Sequence, residues 1–251
     1  MPSLTFLGSG VSFAVPAPGC NCLVCRRGFQ PFSKLYRTRA SVLVQNRGKN
    51  LLIDCSPDFR EQALKNKLKK VDAALISHLH ADATWGIVDL RAYSFEKKIP
   101  VYANAPTIRS IRKHFDYAFS KKTRTSKPEL ELKKLPKKIK LFGLGITPVR
   151  ALHPPVLTHG FRINDLAYLP DVKKLPVQSK KQLKGIKTLI IDATSNKPYI
   201  GHQTIFDAIK LSRELGAKKT YFTHIGHDLN PLKLKLPRGM QLAYDGLKIR
   251  F

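Results

Sequence analysis

The sequence predicts a layered α/β fold with a sheet-on-sheet core and helices on the outside. Short apolar runs typical of buried strands recur along the chain, and segments with helical patterning follow several of them. The predicted strands are Leu4–Leu7, Ala40–Gln45, Asn50–Asp54, Ala73–Ser77, Val101–Ala103, Ile146–Ala151, Gly160–Ile163, Leu166–Leu169, Thr188–Asp192 and Lys219–Thr223. The predicted helices are Asp58–Lys69, Thr84–Tyr93, Ala105–Phe115, Ser179–Lys184 and Thr204–Leu215.

Local patterns support individual elements in this order. The first strand runs into the turn Gly8-Ser9-Gly10, and the apolar run that ends at Ser77 is expected of a fully buried strand. The lysine-rich stretch Ser120–Lys140 is weakly patterned and is expected to be a surface excursion. The last helix places an apolar stripe on one face, and Gly216 is suited to end it. That stripe consists of Ile205, Ala208, Ile209, Ser212 and Leu215.

Length and composition fit one large globular domain, predicted to span residues 1–251, with 43% hydrophobic residues. No run approaches the roughly 20 consecutive apolar residues that cross a membrane, so no membrane partner is expected. The start of the chain, Met1–Gly8, lacks the basic residues and long apolar core of a signal peptide. A cytoplasmic location is therefore expected.

The charge balance is strongly positive, with 45 Lys+Arg, 17 Asp+Glu and a formal net charge of +28. Such a field attracts anions, including phosphates and nucleic acids. The lysines are spread over several segments, whereas a dedicated nucleic-acid surface more usually shows clustered cations with interleaved aromatic residues. The charge therefore favours an anionic substrate, and both nucleic-acid binding and a generally basic proteome stay open as explanations.

The segment His78-Leu79-His80-Ala81-Asp82-Ala83 is nearly a binuclear metal site. Two histidines two residues apart can bind one metal from a strand end, and Asp82 offers a hard oxygen to a second cation. Further ligand types follow other predicted strands, namely His153, Asp171 and His224. Because such groups gather at one end of a sheet, together they predict a metal centre. Imidazoles with carboxylates suit Zn, Mn or Fe.

A second set of metal-ligand types is the cluster Cys20-Asn21-Cys22-Leu23-Val24-Cys25. This spacing is too tight for disulfides within the cluster and suits thiolate coordination in a reducing compartment. Three thiolates are one ligand short of a closed zinc site, and His227 is the natural fourth. Reduced thiols without a metal are the alternative. Cys55 is expected to be a buried small residue.

The chain resembles the metallo-β-lactamase superfamily and, within it, the phosphoribosyl cyclic-phosphate phosphodiesterase group. Pyrroloquinoline-quinone biosynthesis protein B and tRNase Z share the core motif. The matching segments cover essentially the whole chain; they are His78–Asp82, Gly8–Gly10, Gly19–Cys22, Cys25, Arg37–Ser41, Leu52–Asp54, Pro57–Gln62, Asp89–Arg91, Gly201–Thr204, Thr223–His227 and Ala243–Gly246.

The resemblance implies a four-layer αββα metallo-β-lactamase-like sandwich with two divalent catalytic metals, Zn or Mn, and one structural Zn. Metal one would be bound by His78, His80 and His153, and metal two by Asp82 and His224, with Asp171 bridging. Asp54 would order the ligand loop without binding metal. The structural zinc would be bound by Cys20, Cys22, Cys25 and His227.

Catalytic roles are predicted for Asp82, as a metal ligand, and for His202, as a general acid, because imidazole titrates near neutral pH. The resemblance also implies a catalytic histidine at position 202. Arg91 and Arg60 are candidate phosphate contacts, with structural ion pairing as the alternative. His114 and His159 carry no motif and are not assigned.

Ala83 stands where the resemblance implies a further histidine ligand of metal two. The second site is therefore expected to bind metal more weakly. Three explanations stay open: a natural variant with one tight metal, a retired phosphoester-binding protein, and a deliberate substitution.

The predicted function is hydrolysis of a small or cyclic phosphodiester by a metal-bound hydroxide. A ribonuclease or other nuclease and a metal-poor phosphoester-binding protein are the alternatives. A homodimer is one open quaternary arrangement.

Overall fold

Two seven-stranded mixed sheets form the centre of the computed structural model, which describes residues 1–30, 32–120, 126–231 and 233–251. In the first sheet the strand order is β14-β1-β2-β3-β4-β5-β6, and in the second it is β13-β12-β11-β10-β9-β8-β7. The strands are β1 Ser3–Gly8, β2 Ser41–Asn46, β3 Lys49–Ile53, β4 Ala73–Leu75, β5 Ile99–Ala103, β6 Leu130–Lys134, β7 Ile139–Leu141, β8 Leu144–His153, β9 Val156–Ile163, β10 Leu166–Leu169, β11 Thr188–Asp192, β12 Lys219–Thr223, β13 Met240–Leu242 and β14 Lys248–Arg250.

Seven α-helices and one 3₁₀ helix are found among the residues that the structure describes. They are α1 Leu23–Gly28, α2 Phe59–Lys65, α3 Ala81–Thr84, the 3₁₀ helix Trp85–Tyr93, α4 Ala105–His114, α5 Asp116–Phe119, α6 Val177–Gln182 and α7 Ile205–Leu215. A reciprocal capping box between Thr204 and Asp207 fixes the start of α7, and Gly216 ends the helix at φ 70°. The start of the last predicted helix and its stop residue are thereby confirmed.

Three apolar clusters define the layers. The middle cluster packs the two sheets face to face and includes Phe6 and Val42 from the first sheet and Phe161 from the second. Each outer cluster packs one sheet against helices, with Phe59 of α2 on the first sheet and Leu211 of α7 on the second. Because successive strand residues point to opposite faces, each sheet contributes one face to the middle cluster and its other face to an outer cluster. The order helix–sheet–sheet–helix is the four-layer αββα sandwich that was predicted.

Two sequence-based expectations about elements are wrong. The predicted helix Thr84–Tyr93 is a 3₁₀ helix over Trp85–Tyr93, preceded by the four-residue α3. The expected surface excursion Ser120–Lys140 contains β6 and β7, apart from residues 121–125, which lie outside the described part. Each of these strands is one of the two edge strands of its sheet, and lysines obscure the strand pattern there because an edge tolerates charge. In the described residues, no helix has the length and apolar character needed to cross a membrane.

The topology brings several strand ends to one edge of the sandwich. In the first sheet β3 and β4 are parallel, and in the second β10, β11 and β12 are parallel. Strand β8 runs in the same direction as β10, because each is antiparallel to β9. The carboxyl ends of all these strands therefore lie together, and the residues that follow them form the candidate site.

Candidate metal centre

Three histidines from the two sheets converge at this edge. His78 and His80 follow β4, and His153 ends β8. One ring nitrogen of each lies within 4.8 Å of the others, and Nε2 of His153 is 3.3 Å from Nδ1 of His80. Nδ1 of His153 donates to the carbonyl oxygen of Gly201 over 2.6 Å, which leaves Nε2 for a ligand. The structure therefore brings together the three residues expected at metal one.

His78 has the properties of a metal ligand. Its Nε2 atom is buried and has no hydrogen-bond partner in the described part of the chain, while its Nδ1 atom lies 2.9 Å from Oγ of Ser77. Burial lowers the pKa of His78 to about 4 and also lowers the pKa of His80. Both imidazoles are therefore neutral near pH 7, which is the form that binds metal.

Asp82, Asp171 and His224 form a second convergent group, which is the set expected at metal two. Nε2 of His224 is 3.5 Å from Oδ2 of Asp82 and 3.3 Å from Oδ1 of Asp171. Burial opposes charge on His224, but the two carboxylates raise its pKa to about 9. Burial likewise opposes charge on Asp82 and Asp171, but His224 holds the pKa of both below the usual range. The imidazolium of His224 therefore offsets part of the negative charge of the two carboxylates.

Ala83 lies beside this group and is buried in α3. Its carbonyl oxygen accepts a hydrogen bond of 2.8 Å from the backbone N–H of Cys55. The side chain is a methyl group and offers no donor atom. Asp82, Asp171 and His224 converge although position 83 offers no donor atom.

Asp54 orders the loop that carries the ligands. It follows β3 in the left-handed region, at φ 60°, and its Oδ1 atom accepts a hydrogen bond of 2.7 Å from the N–H of Ser77. Asp54 is fully buried, and burial raises its pKa well above the ordinary value. No metal-ligand group in the described ranges includes Asp54. Its position therefore matches the ordering role that the resemblance implied.

His202 lies at the same centre, paired with a residue that the sequence analysis missed. Its Nδ1 atom donates to Oδ2 of Asp192 over 3.0 Å, and its ring stacks on His224 at a centroid distance of 4.6 Å. Burial lowers the pKa of His202 to about 4 and raises that of Asp192 well above the usual value. The contact to Asp192 leaves Nε2 for a substrate. Asp192 ends β11, which pairs in parallel with β10, the strand before Asp171. An acidic residue at the end of a predicted strand is the sequence feature that could have indicated Asp192.

A cavity of about 720 Å³ opens onto both ligand groups. It contains one arginine that the sequence analysis had not singled out for binding, Arg39. The Arg39 side chain is held by an ion pair of 2.7 Å with Asp58 and by a hydrogen bond from Nε to the carbonyl of Ser12. The cavity is lined by Ser12, Arg39, Pro57, His80, Ala81, Asp82, Trp85, His153, Pro154, Asp171, Tyr199, Ile200, Gly201 and His202.

The two arginines proposed as phosphate contacts lie elsewhere. Arg60 and Arg91 line a separate cavity of about 370 Å³, together with Asp89. Both side chains are exposed, on α2 and on the 3₁₀ helix, and neither is among the residues that line the metal cavity. The two unassigned histidines also lie outside the metal-ligand groups: His114 contacts Ser110 and Trp85, and His159 contacts Asn104.

The predicted cysteine cluster is also assembled. Nδ1 of His227 lies 3.1 Å from Sγ of Cys20, 3.6 Å from Sγ of Cys22 and 3.4 Å from Sγ of Cys25. Burial opposes the thiolate of Cys22, but hydrogen bonds led by the Cys25 N–H lower its pKa to about 7; burial raises the pKa of Cys25 to about 12. Cys55 is buried in a helix–sheet cluster, away from this group, as expected.

Comparison with protein families decides the classification. A model described as "Beta-lactamase superfamily domain" matches residues 49–225, which is more than half of the chain. The chain belongs to the metallo-β-lactamase superfamily. The crystal structure of a diphosphatase from the PhnP family superimposes with a TM-score of 0.92, at 39% identity, over 100% of this chain and 98% of that one. The predicted family and fold are therefore confirmed, and the fold is that of a metallo-hydrolase of the PhnP-like group.

Other relatives are more distant or longer. Zn²⁺-bound PqqB from Methylobacterium extorquens shares the fold, with a TM-score of 0.82, 20% identity and coverage of 99% of this chain and 100% of that one. Human tRNase Z, short form, does so with a TM-score of 0.72, 18% identity and coverage of 99% and 98%. An octanoyltransferase from Porphyromonas gingivalis is 34% identical over 250 residues, which are 96% of this chain. The chain spans about half the length of that relative, 50%.

The Asp54–Ser77 hydrogen bond predicts a graded response to substitution. Asp54→Ala leaves the buried N–H of Ser77 without its acceptor, so we expect the free energy of unfolding to fall by about 1–3 kcal/mol. We also expect lower metal content, because the ligand loop loses its anchor. Asp54→Asn is the matched control, since asparagine keeps an acceptor oxygen and tolerates positive φ. Denaturant unfolding and elemental analysis provide the measurements, and equal values for Asp54→Ala and the wild type would contradict this role.

Proposed function

We propose that the protein is a metal-dependent phosphodiesterase that hydrolyses a small or cyclic phosphodiester. The observation that carries this proposal is the convergence of two ligand groups, beside His202, in one cavity. The similarity at 39% identity to a protein described as a diphosphatase supports phosphoester chemistry. The strongly positive charge of the chain favours an anionic substrate.

The residues fit divalent cations. The neutral imidazoles of His78 and His80 and the carboxylates of Asp82 and Asp171, whose pKa values are lowered, form a donor set suited to Zn or Mn. Nε2 of His78 has no hydrogen-bond partner among the described residues and is available to an ion. His78, His80 and His153 would hold one ion, and Asp82 and His224 the other, with Asp171 shared. When bound, such ions activate water and neutralise the charge on a phosphoryl group.

The chain's own residues supply proton transfer and orientation. Asp192 fixes the His202 ring so that Nε2 can donate a proton to the leaving oxygen. A bound phosphodiester adds negative charge beside this ring and so favours its protonated form. Arg39 adds positive charge to the cavity wall, where Asp58 holds its side chain in place.

Octanoyl transfer is not proposed for this chain. The corresponding name belongs to a protein of which the chain matches only 50%. The groups that converge in the cavity are histidines and carboxylates of the kind that bind divalent ions, which favours hydrolysis.

Nuclease activity is the second candidate, and one cavity favours it. A cleft of about 920 Å³ beside β8 is lined by the cations Lys134, Lys137, Lys138 and Arg150. Lysine and arginine side chains in a cleft bind phosphate backbones in a salt-dependent manner. The polymer substrate would then be RNA or single-stranded DNA.

The cysteine cluster is proposed as a structural zinc site. Its three thiols and one imidazole complete a four-ligand set of the kind that closes around Zn. The cluster ties the segment that contains α1 to His227, three residues after His224. A zinc ion here would therefore stabilise the neighbourhood of the metal centre without taking part in the reaction.

The first test restores the missing donor. Ala83→His should raise metal affinity at the second site by about 10–100-fold, and turnover of a cyclic phosphodiester should rise with it. Ala83→Leu adds bulk without a donor atom and is the matched control. Metal stoichiometry by elemental analysis and hydrolysis of linear and cyclic phosphodiesters and of RNA are measured for each form.

The same substrate panel separates the two functions. Rapid hydrolysis of small cyclic phosphates with weak polymer binding supports the phosphodiesterase proposal, whereas internal cleavage of RNA with salt-dependent tight binding favours the nuclease. If Ala83→His binds no more metal and hydrolyses nothing, the assignment of position 83 to the metal centre is wrong.

The roles of His202 and Asp192 predict a dependence on the leaving group. His202→Ala should lower kcat by about 10²–10⁴-fold for a substrate with an alkoxide leaving group, because that oxygen needs a proton. The loss should be much smaller for bis(p-nitrophenyl) phosphate, whose leaving group is stable as an anion. Asp192→Asn should give a smaller loss and a shifted pH profile. Equal losses on both substrates would show that His202 is not the proton donor.

The zinc assignment predicts coupled losses of metal and stability. Cys22→Ser removes one ligand at an exposed position, so zinc content should fall by about one ion per chain and the Tm should fall with it. Cys55→Ala, in the core away from the cluster, serves as the control and should keep its zinc. Elemental analysis and thermal unfolding decide, and a Cys22→Ser protein with unchanged zinc content and Tm would refute the assignment.

A further inference from the structure

The mouth of the metal cavity exposes large apolar side chains. Trp85 is 53% exposed, Tyr199 62% and Ile200 83%, and all three line the same cavity. Tryptophan is usually well buried on average, and single exposed apolar residues are common, but a group of them around one cavity indicates a binding surface. These residues have no part in the proposed metal and proton chemistry.

The two aromatic side chains lie in connections that follow strands of different sheets. Trp85 lies three residues after Asp82, in the connection between β4 and β5 of the first sheet. Its ring centroid is 6.3 Å from that of His114. Tyr199 belongs to the connection between β11 and α7 of the second sheet, and its ring centroid is 6.1 Å from that of His202. The cavity therefore has one aromatic side chain from each sheet's connections in its wall.

The backbone that carries Tyr199 is anchored. Nζ of Lys173 donates to the carbonyl oxygens of Tyr199, over 2.7 Å, and of His202, over 2.9 Å. One ammonium group therefore holds both ends of the segment from Tyr199 to His202. Such bracing reduces the ordering cost that a ligand would otherwise meet on binding.

The cavity is polar at one end and apolar at the other. Its inner part holds the metal-ligand groups, with Arg39 on the wall, and its mouth holds Trp85, Tyr199 and Ile200. The volume of about 720 Å³ lies within the usual range for small-molecule sites. A ligand that fits both ends has a phosphoester at one end and a flat apolar group at the other.

We propose that Trp85 and Tyr199 stack on the nucleobase of a nucleotide phosphodiester, whose phosphate occupies the metal end of the cavity. This inference rests on the proposed phosphodiesterase function and names its substrate class. Stacking on aromatic side chains tolerates every base, because every base has a π-face. An alkyl chain is the competing occupant and would suit Ile200, whereas the two aromatic rings favour a flat base.

A binding experiment uses Trp85, the single tryptophan of the chain, as the reporter. Zinc-loaded protein is titrated with AMP, with ribose 5-phosphate, which lacks the base, and with octyl phosphate, which carries an alkyl chain. We expect AMP to quench the Trp85 fluorescence and to bind tighter than both other ligands. Tyr199→Ala should raise the Kd for AMP by about 5- to 150-fold, and Tyr199→Phe should restore most of the affinity.

A hydrolysis experiment compares two five-membered cyclic phosphodiesters, of which only one carries a ribose and a base. The ratio of kcat/KM for 2′,3′-cyclic AMP to kcat/KM for glycerol cyclic phosphate is measured for each variant. Trp85→Ala and Tyr199→Ala should each lower this ratio by about 5- to 150-fold, and Trp85→Phe should largely preserve it. Phe95→Ala removes an aromatic ring that is 72% exposed outside the cavity, and should leave the ratio unchanged.

The outcomes separate this inference from the proposed function. If AMP binds no tighter than ribose 5-phosphate, or if octyl phosphate binds tighter than AMP, the base site is overturned even if cyclic phosphates are hydrolysed. If no phosphodiester is hydrolysed but AMP binds with quenching that depends on Tyr199, the base site is supported and the proposed activity is overturned.

Discussion

The hydrogen bond from the N–H of Ser77 to Asp54 is the contact on which the ligand geometry depends. It joins the end of β3 to the end of β4 at the point where the chain leaves the sheet towards His78 and His80. The acceptor is a fully buried side chain on a residue with positive φ, so the surrounding packing must hold it in place. The first sheet thereby positions His78, His80 and Asp82, and the second sheet supplies the other candidate ligands, His153, Asp171 and His224.

Much of the fold and of the metal centre could be predicted because the signals are local. Buried strands show as apolar runs, and a ligand type directly after such a run, as at Asp171 or His224, lies at a strand end wherever the strand is placed. The sequence pattern does not show which cavity an exposed side chain lines, so contacts of that kind could not be predicted from it. The sequence therefore made Arg60 and Arg91 candidates for phosphate contact, whereas the arginine that lines the cavity is Arg39.

The residues around Ala83 come from separate parts of the chain. Asp82, Asp171 and His224 each follow a different strand, and Nε2 of His224 lies within 3.5 Å of a carboxylate oxygen of both acidic neighbours. None of these contacts involves the side chain at position 83. The Asp192–His202 pair adds residues from β11 and from the segment before α7, and it contacts the second group through the stacking of His202 on His224.

The cluster of Cys20, Cys22, Cys25 and His227 has a consequence for the order of folding. Cys22 and His227 are 205 residues apart in the sequence, so their contact closes almost the whole chain into a loop. Contacts of such long range carry a large entropic cost unless intermediate structure has already shortened the connection. Pairing of the strands shortens this connection, so we expect the four ligand atoms to meet late in folding. A cation bound by them would then join the two ends of the chain at a late step.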